Sequence, residues 1–238
     1  MNPRDRLIVA LDVPEAAAAR ALVDRLAGRV GLFKIGSQVF TAAGPDLVRE
    51  IVARGDKVFL DLKFHDIPNT VAGAVASASH LGVSLVDVHG LGGRAMIEAA
   101  VGALPAMGTR LLAITILTSH DDETLDEIGV NGSVVESVRR LAQLAKEAGA
   151  DGVVASPHEV EAIREACGRD FLIVTPGIRP AGANRDDQAR LATPAAALAA
   201  GADYLVVGRP ITEAADPAAA ADAIVREMET ALRTGAAR

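Results

Sequence analysis

Aromatic residues are scarce in this 238-residue chain, which has no Trp, one Tyr and five Phe. Nucleic-acid binders use such rings as stacking platforms and need basic surface to neutralise phosphates. Here 24 Lys and Arg face 31 Asp and Glu, a formal net charge of −7, so a nucleic-acid partner is not expected. Cysteine is almost absent. Cys167 stands alone, so no internal disulfide can form, as suits a reducing compartment. No apolar stretch approaches the ~20 residues that a membrane span requires. The start, Met1-Asn2-Pro3-Arg4-Asp5-Arg6, leads into an apolar run broken at Asp12, too short for a signal-peptide core. The expectation is a cytoplasmic protein with no membrane partner. Long single-sign charge runs are also missing, and half of the residues are hydrophobic, which excludes disorder. Surface scaling at this length hides roughly 70% of the unfolded chain's surface, enough for one sizeable core.

What the chain does contain is a repeating order. Eight short apolar runs recur: Leu7–Leu11, Gly31–Ile35, Lys57–Asp61, Ser84–Val88, Leu111–Ile116, Gly152–Ala155, Phe171–Val174 and Tyr204–Val207. They are continuous rather than alternating in apolar character, as expected of parallel strands covered by helices on the outside. Ala-, Leu-, Glu- and Arg-rich segments with helical spacing lie between them. Ser156-Pro157-His158-Glu159 carries the signature of a helix start, and Gly28, Gly149 and Gly168 fall where helices should end. Eight β-α units in this length predict an α/β fold, a small (β/α)8 TIM barrel, as a single domain over residues 1–238. A doubly wound sheet is the alternative, although it seldom needs eight such units. Two connections are long. One follows the fifth strand and holds His120-Asp121-Asp122-Glu123. The other follows the seventh and runs from Arg179 to Gln188, with the composition of a mobile lid.

The informative residues are charges at the C-terminal ends of the strands, where barrel active sites are built. Asp12 follows the first strand and Lys34 interrupts the second. Asp61 and Lys63 end the third at i, i+2 spacing, which puts both side chains on one face of an extended chain. Asp66 follows in the next turn. Thr118 follows the fifth strand, Arg179 the seventh, and Gly208-Arg209 the eighth. Each has a structural reading as well. Asp12 is at capping-box distance from Glu15, Lys34 could snorkel to the rim, and Asp61 with Lys63 could be a plain ion pair. Jointly, however, several unpaired charges at one barrel mouth would be costly unless they serve a function. Gly208-Arg209 resembles a phosphate cup, and with Arg179 it would make a cationic pocket for a phosphorylated small molecule. Gly90-Leu91-Gly92-Gly93 lacks the spacing of a dinucleotide fingerprint. No spacing of His, Cys and carboxylates suggests a zinc site. Cys167 reads as a packed thiol, His89 as structural, and His65 has no assigned role.

These residues resemble the orotidine 5′-phosphate decarboxylase family almost end to end. The matching segments are Val9–Asp12, Phe33–Gly36, Asp61–Thr70 (Asp-Leu-Lys-Phe-His-Asp-Ile-Pro-Asn-Thr), Leu117–Ser119, Thr175–Pro180, Asp187-Gln188 and Val207–Thr212. The D-x-K-x-x-D stretch is shared with a wider suprafamily, and the whole set is far more specific. The resemblance implies a cofactor-independent decarboxylase, without a metal, that converts orotidine 5′-phosphate to UMP. Lys34, Asp61, Lys63 and Asp66 would form an alternating charged array, with Lys63 the proton donor to C6 and Asp61 beside the leaving carboxylate. Asp66, Ile67 and Thr70 would serve the neighbouring subunit's site, which implies a homodimer. Asp12 and Lys34 would hold ribose hydroxyls and Thr118 the pyrimidine edge. Arg179, Gln188, Gly208 and Arg209 would bind phosphate. The alternatives are a metal-dependent sugar-phosphate decarboxylase or aldolase of the same suprafamily, and a non-catalytic barrel that binds a phosphorylated ligand.

Overall fold

The computed structural model describes residues 2–105, 108–180 and 191–235. Gln188 and most of the connection after the seventh strand therefore lie outside the described residues.

All eight apolar runs form strands: β1 (Leu7–Ala10), β2 (Leu32–Gly36), β3 (Val58–Phe64), β4 (Leu85–His89), β5 (Arg110–Ile114), β6 (Gly152–Val154), β7 (Leu172–Thr175) and β8 (Tyr204–Val207). They close in sequence order, with every pairing parallel and β8 returning to β1. This closed parallel barrel excludes the doubly wound alternative. The helices are α1 (Ala16–Leu26), α2 (Ser37–Ala43), α3 (Pro45–Ala53), α4 (Pro68–His80), α5 (Gly93–Gly102), α6 (Asp122–Glu127), α7 (Val134–Glu147), α8 (Val160–Cys167), α9 (Pro194–Ala200), α10 (Arg209–Thr212) and α11 (Pro217–Gly235). Among the described residues, no helix is long and apolar enough to cross a membrane.

Strand periodicity sorts the side chains into two layers. Leu7, Val9 and Leu11 join the core between strands and helices, while Ile8 and Ala10 point into the barrel. Inside, Ile8, Leu32, Phe59, Leu85, Leu112, Val174, Tyr204 and Val206 pack into a closed plug, as barrel interiors of this size require. Parallel strands bury both faces, which is why the runs read as continuously apolar.

The expected helix signals are present with small changes. Gly28, Gly149 and Gly168 follow their helices at φ +73, +89 and +78°, a region that favours glycine. Ser156 accepts the His158 N–H, but on a 3-10 turn that precedes α8. The acidic run after β5 becomes a helix, because the Asp121 side chain accepts the Thr124 N–H and caps α6. The helix start near Pro14 is different. Glu15 occupies the cap of α1 and no side-chain bond is made there. Asp12 is engaged elsewhere, so its capping reading fails.

Candidate active site

A cavity of about 440 Å³ opens at the C-terminal ends of the strands. The sequence reading puts Asp12, Lys34, Asp61, Lys63, Thr118, Arg179, Gly208 and Arg209 at this end, and the structure brings all eight to the wall. Phe59, Ile114, Val154 and Val206 supply apolar surface. Thr212 and Glu213, just after Arg209, also line it and were not singled out from the sequence.

One side carries an alternating row of charge. Lys34 Nζ lies 3.1 Å from Asp12 Oδ1 and 3.1 Å from Asp61 Oδ2. Asp61 Oδ1 accepts from Lys63 Nζ. The order is Asp12, Lys34, Asp61, Lys63, so every cation in the row has an anion beside it. Register explains the meeting. Lys34 pairs with Phe59 and Gly36 with Asp61, so Lys34 and Asp61 stand one step apart on the inner face. A Cβ on Gly36 would approach Asp12 Oδ1 to 3.0 Å and Lys34 Nζ to 3.1 Å. Glycine at this position leaves the ammonium its room.

Burial makes these contacts count, since charges interact more strongly away from water. Burial alone would lower the Lys34 ammonium, but Asp61 and Asp12 outweigh it and the group is raised. Burial alone would raise the Asp61 carboxyl. Lys34, a hydrogen bond with Asp87, and Lys63 outweigh that and hold it well below the usual carboxylate range.

Asp87, on β4, was passed over in the sequence. It is fully buried, and its Oδ1 accepts the Lys63 N–H at 2.8 Å. Burial, followed by the neighbouring Asp61 carboxylate, drives its own carboxyl well above the ordinary value. Lys63 has φ +50°, the one positive value at a non-glycine among the described residues. A side chain in that region costs about 1–2 kcal/mol.

On the opposite wall Arg179 is buried, and its backbone N–H donates to Ala192 O at 3.0 Å. This pairing ties both ends of the connection after β7. Gly208 caps α10, and Arg209 is that helix's first residue. Asp66, Ile67 and Thr70 are exposed and line no part of this cavity. Asp66 Oδ1 accepts the Ile67 N–H at 2.6 Å, and Ile67 is 67% exposed. His65 stacks on His89 with ring centroids 5.3 Å apart. Burial, His65, Lys63 and His120 together lower the His89 imidazole to about 4. Cys167 is buried, as a packed thiol should be, and burial pushes it up. Among the described residues, no group of three or more His, Cys, Asp or Glu is arranged to hold a metal ion.

The family model described as orotidine 5′-phosphate decarboxylase / HUMPS matches residues 5–224. The chain belongs to that family. Among curated members, orotidine 5′-phosphate decarboxylase of Syntrophotalea carbinolica is 57% identical over 242 residues, covering 99% of each chain. The enzyme of the same name from Halorhodospira halophila is 59% identical over 228 residues, covering 95% of this chain and 97% of its own. Among solved structures, orotidine 5′-phosphate decarboxylase of Lactobacillus acidophilus superposes with a TM-score of 0.83 at 42% identity, over 93% of this chain and 98% of that one. The decarboxylase family thus shares with this chain both the barrel and the end-to-end sequence.

Proposed function

We propose that this protein is a cofactor-independent carboxy-lyase that converts orotidine 5′-phosphate to UMP and CO2, the last step of UMP synthesis. The observation that carries the reading is the Asp12–Lys34–Asp61–Lys63 row sharing one cavity with Arg179 and Arg209. The curated relatives bear the same activity in their names.

The reaction explains the row. When the bond from C6 to the carboxylate breaks, its electron pair stays in an in-plane orbital that the ring π system cannot delocalise. Stabilisation must come from a positive charge already standing at C6. The Lys63 ammonium supplies it and then delivers its proton to C6, leaving a neutral amine that solvent recharges. Asp61 holds Lys63 in place beside the departing carboxylate, and Lys34 completes the charge balance. Asp12 and Lys34 bind the ribose hydroxyls, and Thr118 the pyrimidine edge. Arg179, Gly208 and Arg209, with Gln188, hold the phosphate. Binding energy collected there, far from C6, can be spent on orienting and desolvating the reacting end.

Asp66, Ile67 and Thr70 are exposed and line no part of their own chain's cavity, which supports a homodimer in which they complete the partner's site. The protein works in the cytoplasm as one domain. A metal-dependent sister activity is disfavoured by Lys34, because an ammonium between Asp12 and Asp61 occupies the place of a cation and repels one. The experiment is to follow the ultraviolet absorbance of orotidine 5′-phosphate with purified protein in EDTA. Undiminished turnover, lost in Lys63→Ala, supports the reading, whereas strict Mg²⁺ dependence overturns it.

A further inference from the structure

The β3–β4 pairing breaks its register beside the site. Phe59 pairs with Leu85 and Leu60 with Val86, but the next pair is Phe64 with Val88. Three residues of β3, Asp61 to Lys63, therefore oppose Asp87 alone. Residues in such a bulge lose their ladder partners. The Lys63 N–H finds one in the Asp87 side chain, at 2.8 Å from Oδ1. Asp87 faces the barrel interior, two residues beyond Leu85 of the inner plug.

The second oxygen has no such partner. The buried Asp87 Oδ2 has no hydrogen-bond partner among the described residues, and the register puts Asp61 in the stretch of β3 that opposes Asp87. Two carboxyls share a hydrogen bond only when one of them holds a proton. Asp61 is flanked by the ammonium groups of Lys34 and Lys63, so it is the ionised member and Asp87 the protonated one. The burial and the neighbouring negative charge that raise the Asp87 carboxyl agree with this. The other titratable groups near it are Lys63 and, further along β4, His89. From β5 the opposing residue is Leu112.

We propose that Asp87 is a positioning residue: a neutral carboxylic acid whose Oδ1 holds the Lys63 backbone in its left-handed turn and whose Oδ2–H braces Asp61. It would fix where the Lys63 ammonium stands without touching substrate. This rests on the decarboxylase reading for its kinetic consequence, and for its protonation state on the burial of Asp87, its unpartnered Oδ2 and the two ammonium groups beside Asp61.

Three variants test it. Asp87→Asn keeps an acceptor, a donor and the shape of a neutral acid, so kcat should stay within about threefold and the pH profile should superimpose on that of the parent. Asp87→Ala and Asp87→Leu remove both bonds, and Leu fits a layer already built from Leu85 and Leu112. Their kcat should fall roughly 10- to 100-fold with KM nearly unchanged, as for a misplaced catalytic group. Parental kcat in either truncation, or a loss beyond about tenfold in Asp87→Asn, overturns the proposal. The ¹³C resonance of the Asp87 carboxyl gives a reading independent of turnover and of any variant's folding. It should remain that of the neutral acid through pH 7, and the shift of an ionised carboxylate there also overturns the proposal. A parent chain that does not decarboxylate orotidine 5′-phosphate strikes the functional reading instead and leaves this resonance to judge Asp87.

Discussion

The Lys34 ammonium stands 3.1 Å from the Asp61 carboxylate, with both side chains only about a tenth exposed. A pair held this far from water is worth little as a net gain but is expensive to halve. Replacing Lys34 with Met should destabilise the fold by about 2–3 kcal/mol in urea unfolding, somewhat below a fully buried pair because the cavity mouth is wet. Decarboxylation should fall by about 10²-fold or more, since a charge already in position is withdrawn from the reacting centre. Parental stability in that variant would mean that the pair is not coupled to the fold.

His89 provides a pH signature. Its imidazole is lowered to about 4 by burial, by His65, by Lys63 and by His120, against about 6.5 when unfolded. A depressed folded value means that the unfolded chain binds the proton first as pH falls. The contribution of His89 is therefore intact above about 6.5 and is lost as pH drops toward 4. NMR titration should find this ring neutral at pH 5. His89→Gln should flatten the decline of stability between those two values.

The shared-site arrangement can be tested by mixing. If Asp66 completes the neighbouring subunit's cavity, Lys63→Ala and Asp66→Ala homodimers are each impaired for different reasons. A mixed dimer carries one doubly altered site and one intact site. Re-equilibrated equal mixtures should then recover about a quarter of the parental activity. No recovery, in mixtures shown by native mass spectrometry to contain hybrids, would put Asp66 in its own chain's site. Ile67→Asp should sediment as a monomer and lose turnover.

Arg164 marks the other end of the barrel. Its guanidinium donates to Gly201 O at 2.9 and 2.8 Å, to Asp203 Oδ2 at 2.5 Å and to Phe171 O, stitching the segments that enter β7 and β8. Arg164→Ala should cost about 2–4 kcal/mol of stability by leaving Asp203 and several carbonyls without their donor. At temperatures where it remains folded, kcat should match the parent. A lower kcat with unchanged stability would contradict this division between a stabilising face and a catalytic one.

The strands were legible because a parallel barrel buries both faces of each, and eight apolar runs follow directly. Only their ends moved, by a residue or two, except that β3 extends to Phe64. Asp12, Lys34, Asp61 and Lys63 stood out as charges in or after apolar runs, and that same test fits Asp87 inside Leu85–His89. It lies inside its run rather than at a strand end, and it earns its place through a register shift that no local pattern reveals. Asp12 beside Glu15 gave a true capping-box spacing, and tertiary contact with Lys34 overrode it. The stacking of His65 on His89 needed two strands brought together.

Among the described residues, the packed barrel interior fills the end of the cavity away from the strand C-termini. Ile8, Leu32, Phe59, Leu85, Leu112, Val174, Tyr204 and Val206 pack together behind it. In the proposed reaction, nucleotide, carbon dioxide and the proton that recharges Lys63 all use the entrance at the strand C-termini. Turnover there is a sequence of visits rather than a flow, and whatever covers that entrance governs the arrival of substrate and the departure of both products together.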